Sequence, residues 1–192
     1  LTLHEDGQII SWDLETGRPL TRFERLSDQV FALKFLGENA FVSVTRNGQV
    51  SLWNQRSSLP GDTYNTGVSG VQTVSVSADR RYIGLLNDTA HLALVDLVTN
   101  SQNRVALRRL ENIIAFDIDL NSELIATLSG DGLAQVFELQ SGILQASRAF
   151  EPVGDIVTMT FLGAQGGVGL LSRKGQLQSW NWEQDQVRVF GS

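Results

Sequence analysis

Apolar residues in this chain fall in short runs that break at glycine, asparagine, aspartate or serine. No stretch of 12 or more residues carries a sustained 3.6-residue period. The runs are rich in β-branched, leucine and aromatic residues, so they predict strands and leave no place for a helix. Two patterns recur among them. HEDGQIISWDL (His4 to Leu14), TRNGQVSLWNQ (Thr45 to Gln55), NDTAHLALVDL (Asn87 to Leu97), SGDGLAQVFEL (Ser129 to Leu139) and SRKGQLQSWNW (Ser172 to Trp182) align without gaps. Their anchors Trp12, Trp53, Val95, Phe137 and Trp180 stand 41, 42, 42 and 43 residues apart. Upstream, a pattern of apolar, any, small, apolar, any, apolar occurs at Val30-Ala32-Leu33-Phe35, Val71-Thr73-Val74-Val76, Ile113-Ala115-Phe116-Ile118 and Ile156-Thr158-Met159-Phe161. Its starts are 41, 42 and 43 residues apart, so two independent patterns share one period.

Each repeat reads as four strands, a to d. In the third full unit these are predicted at Ile113 to Asp119, Leu124 to Leu128, Leu133 to Leu139 and Leu144 to Phe150. A glycine five places before the anchor (Gly7, Gly48, Gly132, Gly175) suits a tight b–c hairpin, where positive φ is cheap for glycine. Asn47-Gly48 and Asp131-Gly132 are strong hairpin signals. Thr89-Ala90 is a weak one, so a distorted turn is expected there.

A four-stranded unit of about 40–45 residues closing on Trp-Asp resembles the WD-repeat β-propeller family. The dipeptides here are Trp12-Asp13, Trp53-Asn54, Val95-Asp96, Phe137-Glu138 and Trp180-Asn181, each a bulky apolar residue followed by an acid or its amide. Val76-Ser77-Ala78-Asp79 is similar to the family's turn after strand a, and Leu14-Glu15-Thr16-Gly17 to its turn after strand c. The resemblance spans essentially the whole chain. It implies an all-β propeller of four-stranded antiparallel blades: four full blades plus strands c and d of another. The expected units, within one domain over residues 1–192, are about 1–24 (partial), 25–67, 68–109, 110–151 and 152–192. The family's per-blade network joins a histidine before strand a, a strand-b hydroxyl, the hairpin Asp and the strand-c Trp. No histidine precedes any strand a here, so cohesion should rest mainly on apolar packing between sheets. Quinone-dehydrogenase-like repeats also build four-stranded blades and stay open as alternatives.

At about 42 residues per blade the chain amounts to roughly 4.6 blades, and it opens at Leu1 within a strand-like run. The expectation is part of a longer ring, its remaining blades supplied by the rest of the chain or by another subunit. A net charge of −6 and a pI near 4.9 argue against nucleic acid or anionic lipid as partner. The absence of cysteine removes disulfides, thiolate catalysis and cysteine-based zinc sites. No apolar run approaches the roughly 20 residues of a membrane span.

The anchor position accepts Trp, Phe and Val, which marks it as core, and Trp182, aligned with Leu14, Leu97 and Leu139, is assigned to the core as well. His4 and His91 occupy different repeat positions about two blades apart, so no shared metal site and no cofactor are expected. Asp117 and Asp119 lie two apart on one strand face. The equivalents of Asp117 in other blades, Lys34, Ser75 and Thr160, are polar. This predicts a solvated position near the channel, with a bound cation, a ligand or acid–base chemistry as the alternative. Arg104, Arg108 and Arg109 read as edge protection on strand d, or as a docking patch for an acidic partner. The glycine-rich Gly163 to Gly169 lacks the following helix of a phosphate site.

The resemblance implies a non-catalytic platform that binds a protein or peptide through d–a loops and b–c hairpins gathered at one end. Those segments hold Asp28, Gln29, Arg46, Asn47, Arg109, Glu111, Asp131, Asp155, Arg173 and Lys174, a set of mixed sign. Two other readings stand beside it: a structural subunit that binds through blade edges, and an enzyme with a channel-mouth site at Asp117 and Asp119.

Overall fold

The computed structural model describes residues 1–87, 89, 91–99, 101–106, 112–119, 121, 123–151, 155–163 and 167–190, with backbone alone for 102–106. Among the described residues, nineteen strands form five antiparallel sheets. The first sheet holds β1 (Thr2–Leu3), β2 (Ile9–Trp12) and β3 (Pro19–Arg22). Four-stranded meanders follow. They are β4 (Val30–Phe35), β5 (Ala40–Thr45), β6 (Gln49–Asn54) and β7 (Thr63–Asn65), then β8 (Val71–Val76), β9 (Tyr82–Asn87), β10 (His91–Asp96) and β11 (Ser101–Ala106). The fourth sheet has β12 (Ile113–Ile118), β13 (Leu124–Ser129), β14 (Leu133–Glu138) and β15 (Leu144–Ala149). The fifth has β16 (Ile156–Phe161), β17 (Val168–Ser172), β18 (Leu177–Asn181) and β19 (Gln186–Phe190). These are the blades of an all-β propeller. One correction applies to the first: it holds a short strand b, β1, as well as strands c and d. The chain divides into two compact units, Leu1–Val71 and Gln72–Ser192.

The spacing of the strand-a pattern has a structural cause. Its apolar residues sit at positions one, four and six, which alternation alone would split between two faces. A β-bulge after the first residue corrects the phase: register shifts fall between Val30 and Ala32, Ile113 and Ala115, and Ile156 and Thr158. Ile113, Phe116 and Ile118 therefore stand opposite Ser129, Thr127 and Ile125 and point into one core.

Within each unit that core lies between successive sheets. In the first unit Ile9 and Phe23 pack against Val30, Phe41 and Trp53, with the Phe41 and Trp53 rings stacked at 5.8 Å and Phe23 edge-on to both. In the second unit Leu86, Leu92 and Leu94 meet Ile113, Phe116, Ile118 and Phe137. Ala126, Leu128, Ala134 and Val136 meet Ile156, Met159, Leu170 and Trp180 in the same way. The anchors Trp53, Val95, Phe137 and Trp180 are at most 2% exposed. Trp12 departs from the expected core role: Trp53, Phe137 and Trp180 pack against the preceding sheet of their own unit, whereas Trp12 is only half-buried. Nor is the Trp182 position a core position throughout. Leu139 is buried and Trp182 packs edge-on to Phe161, but Leu14 is 97% exposed.

Two separate kinds of side-chain hydrogen bond recur within the blades. A hydroxyl ending strand b donates to the hairpin residue, Thr45 to Asn47 and Ser129 to Asp131. Independently, the anchor indole N–H donates to a strand-b hydroxyl, Trp12 to Thr2 and Trp53 to Ser43, both at 2.8 Å. The third repeat places Leu85 beside Val95 at these positions, apolar on both sides. The fourth pairs Thr127 with Phe137, which has no N–H, and Thr127 Oγ1 is buried without a partner. The fifth pairs Leu170 with Trp180, whose N–H turns instead to Asp185 Oδ1 at 3.3 Å.

The acid or amide after each anchor caps the turn that follows. Asp13 accepts the N–H groups of Glu15 and Thr16, Asn54 that of Arg56, and Asn181 that of Gln184. Asp96 accepts Val98 and Thr99 N–H and is gripped by the Arg81 guanidinium at 3.0 and 3.2 Å. Burial raises the Asp96 carboxyl, but the Arg81 hydrogen bonds and the two backbone N–H groups outweigh it and bring it down to about 2.

Two outcomes are expected. Thr127→Val should raise the free energy of unfolding in urea by about 1 kcal/mol, since it removes an unpaired buried hydroxyl at constant shape, while Ser43→Ala should lower it by about 1–2 kcal/mol. The folded Asp96 carboxyl is depressed, so its stabilisation is full above the ordinary value of 3.8 and is lost as pH falls toward about 2. Urea titrations across that window should show the stability gap between the protein and Asp96→Asn closing as pH drops.

Candidate partner-binding face

A single main-chain hydrogen bond gathers this face. In each blade where it is described, the residue just past strand b donates its N–H to the carbonyl of the residue just before strand a. The pairs are Arg46 to Gln29 at 3.3 Å, Gly130 to Asn112 at 2.8 Å and Arg173 to Asp155 at 2.8 Å. The bond ties each b–c hairpin to its d–a loop. The hairpin glycines Gly7, Gly48, Gly132 and Gly175 take φ between +80° and +86°, and at Gly48 a Cβ would meet the Val68 carbonyl at 2.0 Å.

In the first unit this brings Asp28, Gln29, Arg46 and Asn47 together, all four exposed. The Asn47 amide donates to Asp28 Oδ2 at 2.6 Å, and the Arg46 guanidinium lies over the Phe31 ring, 4.8 Å from its centroid. Beside them a hollow of about 450 Å³ runs between the first hairpin and the next d–a loop, lined by His4, Glu5, Asp6, Leu26, Asp28 and Gln29 among others. The Gln8 N–H holds the Asp6 carboxyl below the usual range, with Arg25 adding to the effect through an ion pair. Sequence reasoning left out His4, Glu5 and Asp6, although Asp6 precedes the hairpin glycine as Asn47 and Asp131 do. In the second unit Asp155, Arg173 and Lys174 come together, Lys174 Nζ standing 3.8 Å from Asp155 Oδ2. Asp131 is exposed at its own hairpin, accepting from Ser129. Arg109 and Glu111 lie outside the described residues, as do Ala90, Arg108 and the side chain of Arg104.

The carboxylates Asp117 and Asp119 do not form a pair. Asp117 Oδ1 accepts Ser75 Oγ at 2.8 Å and Ile118 N at 3.0 Å; Oδ2 accepts Thr160 Oγ1 at 2.8 Å and Phe161 N at 3.0 Å. It thereby clips the first strands of three successive sheets, β8, β12 and β16. The expected solvated position is in fact a fully engaged, half-buried one. Its neighbours are the equivalent residues one repeat away, which side-by-side first strands bring within reach. Asp119 turns the other way and caps the a–b turn, accepting Asn121, Glu123 and Leu124 N–H groups at 3.2, 2.7 and 2.8 Å. Among the described residues no three His, Asp or Glu side chains are grouped to hold a metal ion.

Asp117→Ala removes the acceptor of two hydroxyls and two backbone N–H groups at once. An expected loss of about 2–3 kcal/mol in urea unfolding, against about 1 kcal/mol for Ser75→Ala, checks the clip.

No family model matches the chain, and no curated protein matches it. Among solved structures it is similar to Hsv2 of Kluyvelomyces marxianus, with a TM-score of 0.68 and 16% sequence identity over 93% of this chain. The match covers 57% of that protein, so the chain spans less than two thirds of the length of the structure it resembles. At that identity the likeness is one of fold, and the fold is a β-propeller.

Proposed function

We propose that this propeller segment is a non-catalytic platform that binds a protein or peptide through its d–a loops and b–c hairpins. The observation that carries the reading is the main-chain bond repeated at Arg46, Gly130 and Arg173. It fixes the backbone of each loop pair through main-chain atoms, and polar residues of both signs stand exposed on these supports. The chemistry of the set fits a polypeptide: Asp28, Asp131, Arg46, Arg173 and Lys174 mix charges, and Gln29 and Asn47 offer amides. The overall charge of −6 opposes a phosphate backbone as partner. An enzymatic reading through Asp117 and Asp119 has less support, because both carboxylates are occupied by donors of the chain itself.

The test is capture from source-cell lysate with crosslinking and mass spectrometry, beside a variant carrying Arg46→Ala, Arg173→Ala and Lys174→Ala. A stoichiometric partner whose affinity falls by about tenfold or more in the variant is the expected result. A partner retained at full affinity would move binding to the blade edges and overturn the loop-face reading.

A further inference from the structure

The hairpin between β5 and β6 carries the only Asn-Gly dipeptide of the chain, Asn47-Gly48. Such a pair is chemically labile. With no Cβ on the second residue, its main-chain nitrogen reaches the asparagine Cγ unhindered and closes a five-membered ring.

The fold restrains both reacting groups. The Gly48 N–H, whose nitrogen is the nucleophile, donates to Thr45 O at 3.0 Å. The Gly48 carbonyl is held as well, accepting Thr66 N at 3.2 Å and Thr66 Oγ1 at 2.8 Å. Its φ of +82° sets the glycine against the Val68 carbonyl, on the side a Cβ would occupy. The asparagine amide is tied at each end. Its Oδ1 accepts the Thr45 hydroxyl and, at 3.4 Å, Gln49 N; its Nδ2 donates to Asp28 Oδ2 at 2.6 Å. The nitrogen that must attack is thus donating elsewhere, and the amide it must attack cannot turn to meet it without breaking its own bonds. Asp6-Gly7 and Asp131-Gly132 share the turn bond, from Gly7 N to His4 O and from Gly132 N to Ser129 O. A carboxylate is a poorer electrophile than an amide, so Asn47 is the weak point among the three.

We propose that Asn47 is a latent deamidation site gated by its own hairpin, silent while the hairpin is closed and reactive on each local opening. In the open state the Gly48 N–H gives its proton to solvent, the nitrogen bonds to Cγ, and the Cγ–Nδ2 bond breaks with loss of ammonia. Water then opens the ring at Cγ, leaving aspartate, or at the main-chain carbonyl, leaving isoaspartate. Either product disables the gate. A carboxylate at position 47 faces Asp28 where an amide donor stood, and isoaspartate adds a carbon to the main chain of a tight turn. An opening that runs to product therefore marks the chain permanently with one more negative charge. The gate operates whether or not the loop face binds a partner.

Purified protein is incubated in weakly alkaline buffer, folded or in urea, and mapped by proteolysis and mass spectrometry. In urea Asn47 should be the first asparagine to convert, and in the folded protein it should convert at least about tenfold more slowly. Asp28→Ala, a change at an exposed residue, should raise the folded rate by about threefold or more, and adding Thr45→Val should raise it further. Ser43→Ala weakens the same unit away from the hairpin and should leave the rate unchanged. A folded rate equal to that in urea, another asparagine converting first in urea, or an Asp28→Ala protein that converts no faster would each overturn the proposal. Equal acceleration by Ser43→Ala would overturn the local gate, because unfolding of the whole unit would then set the rate.

Discussion

Every feature of this chain follows from one constraint: a four-stranded sheet of six-residue strands has two faces and can bury neither by itself. Each must be covered by the sheet before it or after it. The two central strands bear the full demand. Tyr82 to Leu86 and Leu92 to Asp96 are buried at every residue, which is why they read as continuous apolar runs rather than as alternating ones. The outermost strands escape it, and Leu144–Ala149 is mostly exposed. With both faces dry, any polar group in the middle of a sheet must find its partner inside the sheet. The Trp53–Ser43 bond meets that requirement and Thr127 does not.

The same constraint accounts for the acids. A chain that spends its apolar surface between sheets must hold its turns by other means, and here carboxylates and amides do so at fixed repeat positions. The residue after the anchor closes the c–d turn, the residue before the hairpin glycine meets the strand-b hydroxyl, and Asp119 closes an a–b turn. Asp117 carries the idea between sheets, and Asp185 does likewise at the opposite edge, accepting from Arg148 of the neighbouring sheet and from the Trp180 indole. Arg148 and then Trp180 hold the Asp185 carboxyl below its usual range. Much of the negative charge is therefore engaged in the fold.

This explains what was legible in the amino-acid order. The period, the four strands per unit and their limits within about a residue follow from local chemistry, because hairpin glycines and turn acids act over a few positions. The three-then-two spacing of strand a was visible too, and it encodes the bulge. Less legible were properties set by a neighbour one period away. Trp12 shares every local feature of Trp53, yet burial depends on a facing sheet. Asp117 looked solvated among Lys34, Ser75 and Thr160 because polar residues at equivalent positions were read as facing water. In side-by-side first strands, equivalent positions face each other, and a carboxylate between two hydroxyls is a bond. His4 and Glu5 joined the first-unit hollow for a similar reason: the loop opposite them begins some twenty residues on in the chain.

Sheet cohesion and loop placement are thus assigned to different atoms. Sheets cohere through side chains whose size and polarity are fixed by what lies opposite, as Gly84 is by Phe116. The loop face is held by main-chain atoms, in the Arg46–Gln29, Gly130–Asn112 and Arg173–Asp155 bonds, although a Cβ at Gly130 would lie 2.5 Å from Asn112 Nδ2. Positions of the second kind can hold arginine, glycine, asparagine or aspartate without disturbing a sheet, and across these repeats they do. A surface free to change its side chains on a hydrogen-bonded backbone is what the proposed platform would require, and the repeated main-chain bond is the feature that supports that reading.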